Sequence, residues 1–131
     1  MKIEFTVTQP EEAGILSDIA IQSKGYWGYS KEQLDLWRKD LCVTKEQIEK
    51  QTVRTIWFNA ERLGFFAIKQ GTENLLNDLW LLPHAIGKGI GHTAFEEIKK
   101  ECTALGIKEF YIVSDPDAEG FYLHQGAKRV G

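Results

Sequence analysis

The chain has 131 residues, 16 basic side chains against 19 acidic ones, and a formal net charge of −3. One domain over residues 1–131 fits that length, with a core able to stand without disulfide staples, and a composition 43% hydrophobic and 27% charged excludes disorder. The mild acidity excludes a general attraction to nucleic acid or membrane surfaces, no apolar run approaches the ~18 residues of a membrane span, and neither a disulfide framework nor a signal peptide is present, so a reducing, cytoplasmic setting is expected.

Lys2 to Thr8 alternates polar and apolar residues, with Ile3, Phe5 and Val7 on one side, and predicts a half-buried strand. Proline and two acids at Pro10, Glu11 and Glu12 open a helix that carries Ile15, Leu16, Ile19 and Ala20 and ends near Gly25. Tyr26-Trp27-Gly28-Tyr29 reads as an aromatic loop. Ser30 and Gln33 form a capping box for a second helix with Leu34, Trp37 and Leu41 on one stripe. A similar box at Thr44 opens a short helix to about Gln51. Three strands follow, Val53–Phe58, Leu63–Lys69 and Asn74–Leu82, joined by short turns as an antiparallel meander. Beyond Pro83 and a glycine-rich segment, a helix from about Gly91 to Leu105 shows the stripe Ile90, Ala94, Phe95, Ile98, Cys102 and Leu105, and Gly106 closes it. Phe110–Val113 reads as a strand buried on both faces, Ser114-Asp115-Pro116 caps a helix to Gln125, and Lys128-Arg129-Val130 begins a final strand. The order β-α-α-(α)-β-β-β-α-β-α-β predicts an α/β protein of α+β type with a mixed, mostly antiparallel sheet.

Ile86-Gly87-Lys88-Gly89-Ile90-Gly91 lies between a strand and a helix. Glycines let backbone amides turn inward, and a helix N-terminus adds unpaired N–H groups, so the segment suits a phosphate; it also suits a plain tight connection. It is neither a P-loop, lacking glycine-lysine-Ser/Thr, nor a dinucleotide fingerprint, because His92 breaks the spacing. His84, His92 and His124 show no metal-ligand spacing with Cys42 or Cys102, and Cys102 belongs to a helix stripe, so no metal and no Cys-His chemistry are expected.

Taken in order, Leu79-Trp80-Leu81-Leu82-Pro83, Gly87 to Gly91, Ser114-Asp115-Pro116-Asp117-Ala118, Phe121-Tyr122 and Gly126-Ala127 resemble the GNAT superfamily of acetyl-CoA-dependent N-acetyltransferases. Three positions depart from that family's pattern: Ile86 where Gln or Arg is usual, Asp115 for Asn, and Ala127 for Phe. The resemblance implies acetyl-CoA as co-substrate and direct attack of a neutral amine on the thioester, without a covalent enzyme intermediate. It implies that Leu79, Trp80 and Leu81 meet pantetheine and the thioester carbonyl through their backbone. Gly87, Lys88, Gly89, Ile90, Gly91 and His92 would form the pyrophosphate loop, and Asp115 would either contact the cofactor or serve as a plain N-cap. Tyr122 falls at the family's general-acid position. A phenol of pKa ~10 can protonate a thiolate of conjugate acid near ~8.5 because the thiolate is transient and close. The base is not identified; Asp78, Glu109 and a water chain are candidates. Tyr26, Trp27 and Tyr29 would border the acceptor pocket.

The expected acceptor is a small-molecule primary amine. A non-catalytic acyl-CoA-binding module and a protein or peptide acetyltransferase are the alternatives. The resemblance further implies a closing strand beyond Lys128, so the flank of Phe110–Val113 is expected to be closed by a partner subunit, a rearranged last strand or further residues; a homodimer is one of these.

Overall fold

The computed structural model describes residues 2–114 and 116–130. Five strands form one sheet in the order β1-β2-β3-β4-β5: Ile3–Val7, Thr52–Phe58, Glu61–Lys69, Leu75–Leu81 and Tyr111–Ile112. The first four pair antiparallel and β5 pairs parallel to β4, so the sheet is mixed as expected. Helices α1 (Ala13–Gly25), α2 (Lys31–Trp37), α3 (Lys45–Lys50), α4 (Ile90–Ala104) and α5 (Glu119–His124) flank it.

Period-2 patterning splits the core between the two faces. Ile56, Phe66, Ile68 and Leu76 meet the α4 stripe Ile90, Ala94, Phe95, Ile98 and Cys102 on one face. On the other, Val53, Phe65 and Ala67 meet Leu16, Ile19 and Ala20 of α1 together with Val43 and Ile48. Local signals hold the short helices. Ser30 Oγ accepts from the Gln33 amide in a complete capping box, and Thr44 Oγ1 accepts from the Gln47 amide at 3.0 Å.

Four expectations are corrected. Phe110–Val113 is not a strand buried on both faces: β5 keeps only Tyr111 and Ile112, lies at the sheet edge, and leaves Tyr111 38% and Val113 56% exposed. The apolar run there is continuous because one side packs and the other rims an opening. Lys128-Arg129-Val130 forms no strand among the described residues. Val7 stands exposed beside Ile3 and Phe5, because its partner Arg54 reaches Glu101 of α4 and finishes that corner with an ion pair. Ile15 and Leu105 are likewise exposed, at the margins of their stripes.

The feature that positions the site is a β-bulge. Ala67 pairs with Asp78 but Ile68 pairs with Leu76, so Asn77 is the extra residue. The slip puts Leu76 and Leu79 on the same face and sends Asp78, with Trp80, to the other. Bulges bend and twist a strand, and here β5 follows β4 only at Leu75 and Leu76. Beyond the bulge the strands part.

Candidate active site

A cleft of about 620 Å³ opens where β4 leaves β5. Its floor is Asn77 to Leu81, one wall is the Ile86–His92 segment, and the other is Val113 with α5 residues Phe121, Tyr122 and His124. The Leu82 amide donates to the Leu63 carbonyl at 2.8 Å, making that a bonded pair in the β3–β4 ladder. Bonded pairs alternate in an antiparallel ladder, so Trp80 bonds to Phe65, while Leu79 and Leu81 turn their amides and carbonyls to the open side. The cleft is therefore floored by strand-edge backbone that pairs with no strand, of which the Leu81 carbonyl is engaged by a side chain. Ser23 Oγ, from the last turn of α1, reaches the Leu81 carbonyl at 2.5 Å and Ile19 O at 2.7 Å; its single proton can serve one of them at a time.

The glycine wall requires its glycines for backbone reasons. Gly87 and Gly89 have φ of +82° and +78°, and Gly89 is the left-handed N-cap of α4. The first closing bond of α4 runs from the Thr93 amide to Gly89 O, which leaves the amides of Ile90, Gly91 and His92 without intrahelical acceptors. Gly91 serves packing: a Cβ there would lie 3.1 Å from the Phe121 ring, so α5 closes directly on the first turn of α4. His92 Nδ1 lies 2.7 Å from Gln125 Oε1 and ties the start of α4 to the end of α5.

Ten of the residues singled out from the sequence meet on this cleft: Trp27, Asp78, Leu79, Trp80, Leu81, Gly87, Gly89, Gly91, His92 and Tyr122. Five do not line it, Glu109 among them. Lys88 is exposed, Ile90 is a core residue with 2% exposure, and Tyr26 is half-exposed against Trp27. Tyr29 donates from its hydroxyl to Asp117 Oδ2 at 2.5 Å and packs edge-on against Trp37. Asp115 lies outside the described residues. Tyr122 is 7% exposed, with its ring against Phe95 and Phe121 and its edge on the cleft.

A second cavity of about 390 Å³ lies on the far side of the bulge and shares Asn77, Asp78, Trp80 and Val113 with the first. Trp37, Asp40, Leu41 and Val43 complete its wall, with Lys24, whose ammonium sits 4.6 Å from the Trp37 ring centre and 4.7 Å from that of Tyr29. Asp78 stands between the two cavities. Its Oδ2 accepts from Gln47 Nε2 at 2.9 Å and its Oδ1 from Trp80 Nε1 at 3.2 Å. Burial raises its pKa above the ordinary carboxylate value, and the two donors oppose that rise. Glu109 is exposed and lines neither cavity. Sequence reasoning missed Ser23, Trp37, Asp40 and Gln47. Each reaches the site from an element remote in sequence; Gln47 reads only as part of the Thr44 capping box and Trp37 only as part of a helix stripe. Among the described residues, no three His, Cys, Asp or Glu side chains gather as a metal site needs, and no helix is long and apolar enough to cross a membrane.

Residues 28–131 match the family described as Acetyltransferase (GNAT) domain. In three dimensions the chain is similar to PaiA N-acetyltransferase from Thermoplasma acidophilum in complex with coenzyme A, with a TM-score of 0.80 and 23% identity over 100% of this chain and 92% of that one. It is similar to a GCN5-related N-acetyltransferase from Rhodopseudomonas palustris, with a TM-score of 0.77 and 20% identity over 98% and 82%. An acetyltransferase from Thermus thermophilus gives 0.73 and 20% over 99% and 89%. No functionally curated protein matches the sequence significantly.

Proposed function

The chain belongs to the GNAT acetyltransferase family, and from that premise we propose that it is a single acetyl-CoA-dependent N-acetyltransferase domain that acetylates a small primary amine. The observation that carries this reading is the 620 Å³ cleft, floored by the strand-edge backbone of Leu79 and Leu81 and ending at the open N-terminus of α4. Pantetheine, an extended diamide, pairs with the free edge as a strand would. The pyrophosphate takes the amides after Gly87 and the positive end of the α4 dipole. The Thermoplasma relative is in complex with coenzyme A, which supports coenzyme A as the ligand.

The acceptor enters from the second cavity, between Trp37 and Trp80, whose faces and the nearby Asp40 favour a cationic amine on approach. Its nitrogen, once neutral, attacks the thioester carbon, and the π electrons move to oxygen. The nitrogen now bears the positive charge, and Asp78 takes its proton. The C–S bond then breaks, and the departing thiolate takes the proton of Tyr122. The products are the N-acetylated amine and coenzyme A, and solvent restores Asp78 and Tyr122 to their starting states. The two free thiols fit a cytoplasmic setting. The outer edge of β5 offers backbone for a homodimer, which light scattering on eluted protein tests directly.

Isothermal titration with acetyl-CoA, followed by thiol release across an amine panel, tests the reading. Binding is expected, with loss in Gly89→Asp, and absence of binding ends it. Ile86, apolar on the cleft where the family has Gln or Arg, favours a second reading as a non-catalytic acyl-CoA module. Thiol release that is the same in Tyr122→Phe as in the parent would count against catalysis by this residue, and no thiol release from the parent across the panel would favour the non-catalytic module. Basic peptides in the same panel separate a protein acetyltransferase from the small-amine reading.

A further inference from the structure

We propose that Gln47 is a positioning residue for the proton acceptor: from α3 it holds the Asp78 carboxylate in the gap between the two cavities, opposite the indole of Trp80. The inference rests on the reading of Asp78 as the base.

Asp78 occupies the point where the β4 bulge turns a side chain onto the α1–α3 face, and it lines both cavities. A carboxylate there rotates freely about its Cα–Cβ and Cβ–Cγ bonds unless held. Gln47 Nε2 fixes Oδ2 at 2.9 Å, a shorter bond than the 3.5 Å one that Asn77 Nδ2 gives the same oxygen, and Trp80 Nε1 fixes Oδ1 at 3.2 Å. The Trp80 donor is rigid, because the residue sits on the same strand and its backbone is in the β3 ladder. The Gln47 donor comes from a different layer. Its own backbone amide is held by Thr44 Oγ1, and its side-chain amide also reaches Gln51 Oε1 at 3.3 Å. The N-cap of α3 therefore fixes the residue that fixes Asp78. A six-residue helix would otherwise have little reason to turn its third residue inward on a strand carboxylate.

Each donor favours the ionised carboxylate and opposes the effect of burial, so the pair also decides at which pH Asp78 accepts a proton. The other charged and titratable groups around the two cavities are Lys24 from α1, Asp40 and Cys42 from the segment after α2, His92 from α4, and Tyr122 and His124 from α5.

The test is the pH profile of kcat/KM for the amine, measured by thiol release with Gln47→Leu and Gln47→Glu. Gln47→Leu removes a donor to the charged form, so the acid limb moves to higher pH, kcat falls about ten- to hundredfold, and the KM for acetyl-CoA stays within about twofold. Gln47→Glu adds a like charge and moves the limb further than Gln47→Leu does. A purely structural lesion does not produce that graded order. If Gln47→Leu fails to fold, as judged by its melting curve and acetyl-CoA titration, Gln47→Glu, of the same length and shape, carries the test. Acid limbs that coincide with the parent's overturn the proposal. Asp78→Asn separates the two levels. If the limb and rate survive in Asp78→Asn, the base reading has failed and this inference with it. If the limb vanishes there but neither Gln47 variant moves it, positioning by Gln47 alone has failed.

Discussion

Asp78 and the two thiols show how burial sets reactivity one residue at a time. For Asp78 the folded pKa is raised, chiefly by burial, so the native state holds its proton to higher pH than the unfolded chain does. Stability from this group therefore declines as pH rises from the ordinary carboxylate range through the raised value. Urea melts of the parent and Asp78→Asn between about pH 4 and pH 7 are expected to show this: the parent's advantage over the variant shrinks toward neutrality. A constant difference would contradict it. Cys102 is buried among apolar residues, and its thiol pKa is raised first by that burial and then by the Glu101 charge, whereas Cys42 is exposed. The thiolate is the reactive form. A disulfide reagent should therefore titrate one thiol rapidly in native protein and the second only in denaturant, and Cys42→Ser should abolish the fast phase.

At the level of elements, β3 and β4 approach closely where the cleft floor begins. A Cβ on Gly64 would stand 2.2 Å from the Trp80 carbonyl oxygen and 2.9 Å from the Leu81 side chain. Backbone cannot yield to that, so Gly64→Ala is expected to cost at least about 2–3 kcal/mol in chemical denaturation and to weaken acetyl-CoA binding by bending the β4 edge. Gly89 differs: its Cβ would meet open space, but its φ of +78° is the left-handed region. Gly89→Ala is expected to lose only about 1–2 kcal/mol of stability while weakening acetyl-CoA binding about tenfold or more, because the strain falls on the loop that ends at the α4 amides. Calorimetric titration beside a thermal melt separates the two effects. The α4 stripe was legible from its 3.6-residue period. The Asn77 bulge was not, because a bulge is settled by pairing with β3, and Asn77 itself is ordinary in its own strand.

For the whole molecule, the sheet divides two apolar clusters that fold against different helices. Ile98, fully buried on the inner face of α4, is expected to cost about 2–5 kcal/mol on truncation to Ala, whereas Leu36, 78% exposed on α2, is expected to stay within about 0.5 kcal/mol. Equilibrium urea unfolding checks both. Tyr29 and Asp117 join the loop after α1 to the turn before α5, a link between parts of the chain far apart in sequence.

The elements and their order were already written in the chain. Period-2 runs, capping boxes at Ser30 and Thr44, and the glycine segment are local codes that a chain carries wherever it is placed. The same order, with Leu79 to Tyr122 in series, pointed to the family and to most of the residues that meet on the cleft. Tertiary packing alone settled where β4 parts from β5, that β5 is a two-residue edge rather than a buried strand, and that no strand follows Gly126 among the described residues. It brought Gln47, Trp37 and Asp40 to Asp78, and turned Tyr29 toward Asp117 and not into the cleft. One cause runs through all of these. Burial, bulge register and side-chain partnership are fixed between elements distant in sequence, and no pattern within one segment reports on what another segment places against it.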